Sequence, residues 1–140
     1  MVDETTTFSQ YGVRLIATVY VALGLLGFLP IEVLNPIYHD GLDVRYLLHF
    51  VAINAPHNIF HLAIGVSGLG AARTTVGARR WATIVGVVLL ALFFTGMIQS
   101  ALEEFQPEQL LLWLIPLNSP GHVLHAVTGG SVLYLGVTRS

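Results

Sequence analysis

The sequence predicts an all-α integral membrane protein: four transmembrane helices arranged as two duplicated hairpins, each with a short interfacial helix on the outer side. Three observations carry this. The 140-residue chain is 54% hydrophobic and only 10% charged, against about 25% charged in soluble domains, so it lacks the polar residues to cover a water-facing surface. Four apolar stretches divide it. A polar pattern also recurs at an offset of 64 residues, where Asn54, Pro56, His61 and Gly65 fall on Asn118, Pro120, His125 and Gly129. The chain therefore reads as a single membrane domain over 1–140, with repeat A about 12–72 and repeat B about 80–138.

The first span is expected at about 12–29, from VRLIATVYVALGLLGF to the residue before Pro30. The second covers about 56–72, PHNIFHLAIGVSGLG and its flank, and stops at Arg73. The third covers about 80–101, centred on WATIVGVVLLALFFTGMI, and the fourth about 120–138, through HVLHAVTGGSVLYLGV. A span needs about 20 residues, with a range of about 17–25. The second and fourth are short and carry polar residues at one end, so those residues must face protein rather than lipid. Within each half lies a shorter apolar segment, DVRYLLHFVAI (43–53) and its offset partner PEQLLLWLIPL (107–117). Both are too short to span, and are expected as interfacial helices or re-entrant segments on the outer side.

Charge sets the orientation. Arg14, Arg73, Arg79, Arg80 and Arg139 flank one set of span ends, whereas the other two connections hold Glu32, Asp40, Asp43, Glu103, Glu104 and Glu108, with Arg45 the one base among them. The positive-inside rule then places both termini and the middle loop in the cytoplasm. With an even number of spans in each half, the pseudo-twofold axis runs along the membrane normal. The N-terminal MVDETTTFSQYG lacks the basic region of a cleavable signal peptide, so the first span is expected to be retained. There is no cysteine, which excludes disulfides, thiolate metal sites and cysteine nucleophiles. A net charge of −2 gives no case for nucleic acid.

The histidines carry the chemistry. Asn54 and Asn118 (or Ser119) suit N-caps, with Pro56 and Pro120 in the first turn. This places the histidines in the first two turns of spans two and four, near the outer face. His57 and His61 are four apart and share a helical face; His122 and His125, three apart, share another. Gly65 and Gly68 continue the first stripe and Gly129, Val132 and Gly136 the second, as small residues that let helices approach. Packing of spans two and four on the pseudo-twofold axis would bring His57, His61, His122 and His125 together above the glycines. Neutral imidazole is the metal-binding form, and histidines one turn apart can chelate one ion. Four such nitrogens suit Zn, Cu or a similar transition metal. Asn54, Asn58 and Asn118 would support the ligands from behind.

Two other readings compete. His61 and His125, the symmetry-matched pair, could ligate haem b or a chlorophyll-type pigment axially from two helices, with the glycines making room for the macrocycle. Alternatively the histidines and Asn58 hydrogen-bond one another as structural glue, although such bonds average only about 0.6 kcal/mol in membranes. His49 aligns with Trp113 and reads as an interfacial residue, and His39 as an exposed loop residue. No G-x-S-x-G, P-loop or dinucleotide motif appears, and no carboxylate lies in the spans to partner a histidine. The reading therefore leans away from an enzyme. Its partners are the lipid bilayer and either a second copy of the chain or a larger respiratory or photosynthetic complex, of which it would be a non-catalytic accessory subunit.

The segments NAPHNIFHLAIGVSGL and PLNSPGHVLHAVTGG resemble a family of small prokaryotic four-helix membrane proteins, the domain-of-unknown-function family 4383. Its second span tends to read N-x-x-H-N-x-x-H-L-x-x-G and its fourth N-x-A-D-N-x-L-H-x-x-x-G. Asn54, His57, Asn58, His61, Gly65, Asn118, His125 and Gly129 match. Where the family tends to have Asp-Asn, this chain has Gly121 and His122, which exchanges a carboxylate for an imidazole in any shared site. The resemblance implies a multi-pass protein of the prokaryotic cell membrane and bears on topology more than on activity.

Overall fold

A computed structural model describes residues 6–29, 35–36, 44–102, 109–111 and 114–138. Glu32, Asp40, Asp43, Glu103, Glu104, Glu108, His39, Trp113 and Arg139 lie outside the described residues. The order is α1 (Phe8–Phe28), β1 (Asn35–Pro36), β2 (Arg45–Leu47), β3 (Val51–Ile53), α2 (Ala55–Ala71), α3 (Thr75–Leu102), β4 (Gln109–Leu111), β5 (Ile115–Leu117) and α4 (Ser119–Val137). The described residues are thus mostly helical, with four helices. Two of them, α1 and α3, are long and apolar enough to cross a membrane.

Each helix starts where its capping chemistry dictates. Thr7 caps α1 through a reciprocal box with Gln10. Asn54 and Asn118 accept from the backbone N–H groups of His57 and Gly121, with a proline in the first turn of each helix. The helices pack as two antiparallel pairs, α1 with α2 and α3 with α4. One end of the bundle is tied by polar contacts between helix termini. Ser9 Oγ donates to the Leu135 carbonyl, Gln10 Nε2 and Arg14 Nη2 both donate to the Ala72 carbonyl, and Thr75 Oγ1 donates to Gln10 Oε1. The start of α1, the α2–α3 turn and the end of α4 therefore share one end of the molecule, and the strands share the other.

The two short segments expected as interfacial helices or re-entrant segments are β-hairpins. β2 pairs antiparallel with β3, and β4 with β5. In the first, Leu48 and His49 adopt φ of 54° and 65°, and the N–H groups of His49 and Phe50 donate to the Tyr46 and Leu47 carbonyls. Val44, Tyr46, Phe50, Val51 and Ile53 are β-branched or aromatic, which favours strand over helix. In the second, Pro116 has no N–H for a helical ladder and sits in the edge strand β5 opposite Leu110. The hairpins, caps and helix starts recur at the sequence offset: β4, β5, Asn118 and Ser119 each lie 64 positions beyond β2, β3, Asn54 and Ala55.

The core runs down the bundle axis through Val13, Tyr20, Ile64, Trp81, Leu89 and Val132. Buried positions on α1 (Val13, Ala17, Tyr20, Gly24, Gly27) advance by fours and threes, the spacing of one helical face. The opposite faces are apolar as well: Leu15, Val19, Ile59, Val66, Ile84, Phe94, Val123 and Val127 are all exposed. A soluble bundle would place polar side chains there.

Candidate metal centre

The capped ends of α2 and α4 bring three of the four span histidines together. One ring nitrogen from each of His57, His61 and His125 lies within 4.8 Å of the others. The His57 ring centroid is 4.4 Å from that of His61 and 5.9 Å from that of His125. The three residues are 1%, 1% and 2% exposed.

His122 is the fourth residue of the expected set, and the structure places it elsewhere. It is buried against α3, where Nε2 shares a hydrogen bond of 3.3 Å with Ser100 Oγ and the ring meets Phe93 edge-on. The cause is angular. His57 corresponds by the offset to Gly121, so His122 stands one residue further along its helix, which is a rotation of about 100°. That rotation carries the ring away from α2 and toward α3.

The hydrogen bonding of the trio is incomplete in an informative way. The His57 Nδ1–H donates to the Ala52 carbonyl at 3.2 Å, which leaves Nε2 with its lone pair. His57 Nε2, both nitrogens of His61 and Nδ1 of His125 are buried with no hydrogen-bond partner. No hydrogen bond joins one imidazole to another among the described residues. Leaving a buried polar group unsatisfied costs about 1–3 kcal/mol, and one nitrogen from each of the three rings is close enough to the others to share a ligand. A transition-metal ion bonds imidazole nitrogen at about 2.0–2.1 Å, and each of the three rings offers one such atom to the shared space.

The surroundings hold the trio from three sides. Tyr20 of α1 stacks edge-on against His61, with ring centroids 5.3 Å apart. Its hydroxyl lies 2.9 Å from Thr128 Oγ1 of α4, which itself donates to the Leu124 carbonyl. Above the rings, the two hairpins are clasped reciprocally. Asn54 Nδ2 donates to the Leu114 carbonyl of the second hairpin, and Asn118 Nδ2 to the Phe50 carbonyl of the first. The Ala52 N–H returns a bond to Asn118 Oδ1. Each asparagine thus caps its own helix with oxygen and ties down the other repeat with nitrogen. Asn58 faces α1 at Gly27, where any Cβ would strike its side-chain amide. It lines a cavity of about 100 Å³ with Gly27, Arg45 and Asn54, and its Oδ1 is unpartnered.

The glycines of the two stripes do not meet each other. Gly65 closes on the backbone of Ala17 and Val21 in α1, and Gly68 on Ala17 and Trp81; Gly129 closes on Leu89 and Leu90, and Gly136 on Thr83, all in α3. Gly65, Gly129 and Gly136 thus pack within their own helical pair, while Gly68 also reaches across to α3, and α2 and α4 approach each other at the histidine rings. Tyr20, Thr128 and Ser100 escaped the sequence reading. For Tyr20 the available signal was a phenol on the same face as Ala17 and Gly24.

No curated protein and no solved structure matches the chain. A family model described as a domain of unknown function, DUF4383, matches residues 10–138. With that match extending from the first turn of α1 to the end of α4, over all three histidines and both hairpins, the chain belongs to the DUF4383 family.

Proposed function

We propose that this chain is a multi-pass membrane protein that binds one transition-metal ion at His57, His61 and His125, beneath its paired hairpins. The carrying observation is three almost fully buried imidazoles converging within 4.8 Å with four nitrogens unsatisfied. The His57–Ala52 bond supports the reading, because metal-bound histidines commonly donate their second nitrogen to a carbonyl. A structural role for the histidines has less support, since they make no hydrogen bond to one another or to Asn58.

Zn and Cu both accept imidazole nitrogen. The three ligands are neutral imidazoles and by themselves offset none of the ion's charge. That favours the lowest charge available, monovalent copper, because the cost of burying a bare ion rises steeply with charge. Haem or a chlorophyll-type pigment is less well served: the notches at Gly65 and Gly129, which would have admitted a macrocycle, are filled by α1 and α3.

All four helices cross the bilayer in this reading. α2 and α4 are 17 and 19 residues long, within reach of a thin hydrocarbon core, and expose Ile59, Val66, Val123 and Val127. The arginine-rich end faces the cytoplasm, with both termini, and the hairpins face outward. Elemental analysis and an optical spectrum of protein purified in mild detergent test the function. About one metal per chain without a Soret or red pigment band is expected. Neither metal nor pigment would end the proposal, and a Soret band would replace the ion with haem.

A further inference from the structure

At the end of the bundle opposite the histidines, Arg14, Arg73, Arg79 and Arg80 gather around the helix termini with no described carboxylate beside them. Arg79 and Arg80 open onto a groove of about 470 Å³, which they line together with Thr83, Gly136 and the apolar Val76 and Ile84. That volume falls in the range of small-molecule sites, about 300–1,000 Å³. α3 and α4 approach closely here: a Cβ on Gly136 would strike Thr83. Arg79 Nε donates to the Gly136 carbonyl at 3.4 Å, which anchors the guanidinium at the C-terminus of α4. Its other N–H groups, and all those of Arg80, hold no partner among the described residues. Val76 and Ile84 are 60% and 62% exposed.

We propose that this groove binds an anionic phospholipid, its phosphate between Arg79 and Arg80 and an acyl chain along Val76 and Ile84. The argument is one of complementarity. Guanidinium groups bind phosphate through paired, charge-assisted hydrogen bonds, and two of them stand here with no counter-ion among the described residues. The groove lies at the N-terminal end of α3, a helix long enough to cross a membrane, which is where headgroups sit. A free anion would leave the exposed isoleucine and valine of the same groove unused, whereas a lipid engages both parts.

Native mass spectrometry of the full chain, released from detergent containing equal amounts of phosphatidylglycerol and phosphatidylcholine, tests this. One phosphatidylglycerol per chain should be retained with a preference of about tenfold or more. Arg79→Gln with Arg80→Gln should abolish the preference while circular dichroism stays that of the wild type. Millimolar inorganic phosphate should not displace the lipid. Equal retention of both lipids by the wild-type chain overturns the proposal, as does a preference that survives the double substitution. Displacement by phosphate would assign the groove to a free anion instead. The lipid comparison and the phosphate arm use the wild-type chain alone, so a misfolded variant does not blunt the test.

Discussion

At the residue scale, one position decides the composition of the histidine cluster. His61 and His125 are related by the repeat and meet; His57 joins them, and its partner by symmetry is Gly121 rather than His122. The displaced histidine pairs with Ser100 on α3. The asparagines show the same economy from the other direction, since each does two jobs with two ends of one amide. These jobs can be separated. Asn54→Ala should destabilise by about 1–3 kcal/mol, because it removes both the cap and the bond to Leu114. Asn54→Asp keeps the capping oxygen and loses only the donor, so it should fall between alanine and wild type in thermal unfolding in detergent. Capping was legible in the sequence, because Asn-x-Pro before an apolar run specifies it locally. The clasp was not, because Leu114 and Phe50 contribute carbonyls, and a carbonyl carries no residue identity.

At the scale of elements, the four helices were legible and the two hairpins were not. Helix positions follow from long apolar runs with caps, and the observed bounds fall within a few residues of those expected. The segments 43–53 and 107–117 are short apolar runs, whose length and composition fit helix and strand alike. Two signals favoured strands: Pro116, which cannot continue a helix, and the aromatic and β-branched content of the first segment. The turn at Leu48 and His49 has positive φ without glycine, so the usual hairpin marker is missing. The glycines were identified as packing residues, but their partners depend on which helices neighbour one another, which one stripe cannot specify. Substitution distinguishes the tight sites from the open ones. Gly65→Ala would drive a methyl into the α1 backbone and should cost about 1–3 kcal/mol. Gly130→Ala meets nothing within 4 Å and should be neutral or stabilise by up to about 1 kcal/mol through helix propensity. Paired melting curves in the same detergent check both.

At the scale of the whole molecule, the recurrence of hairpin, cap and helix start 64 positions apart lets a short chain build an enclosed site. Neither helical pair encloses the cluster alone: α2 supplies His57 and His61, α4 supplies His125, and each hairpin is fastened by the asparagine of the other half. The same arrangement separates the molecule into a histidine end beneath strands and an arginine end at the helix termini. The proposed roles follow that polarity, with an ion at one end and a lipid headgroup at the other. The central claim is the three-histidine ion site, and its most direct test is metal content per chain in three purified proteins: wild type, His61→Ala and His122→Ala. The account predicts about one ion in the wild type, loss of most of it in His61→Ala, and retention in His122→Ala, with all three eluting as folded protein. Equal metal in wild type and His61→Ala, or loss on substitution of His122 alone, would contradict it.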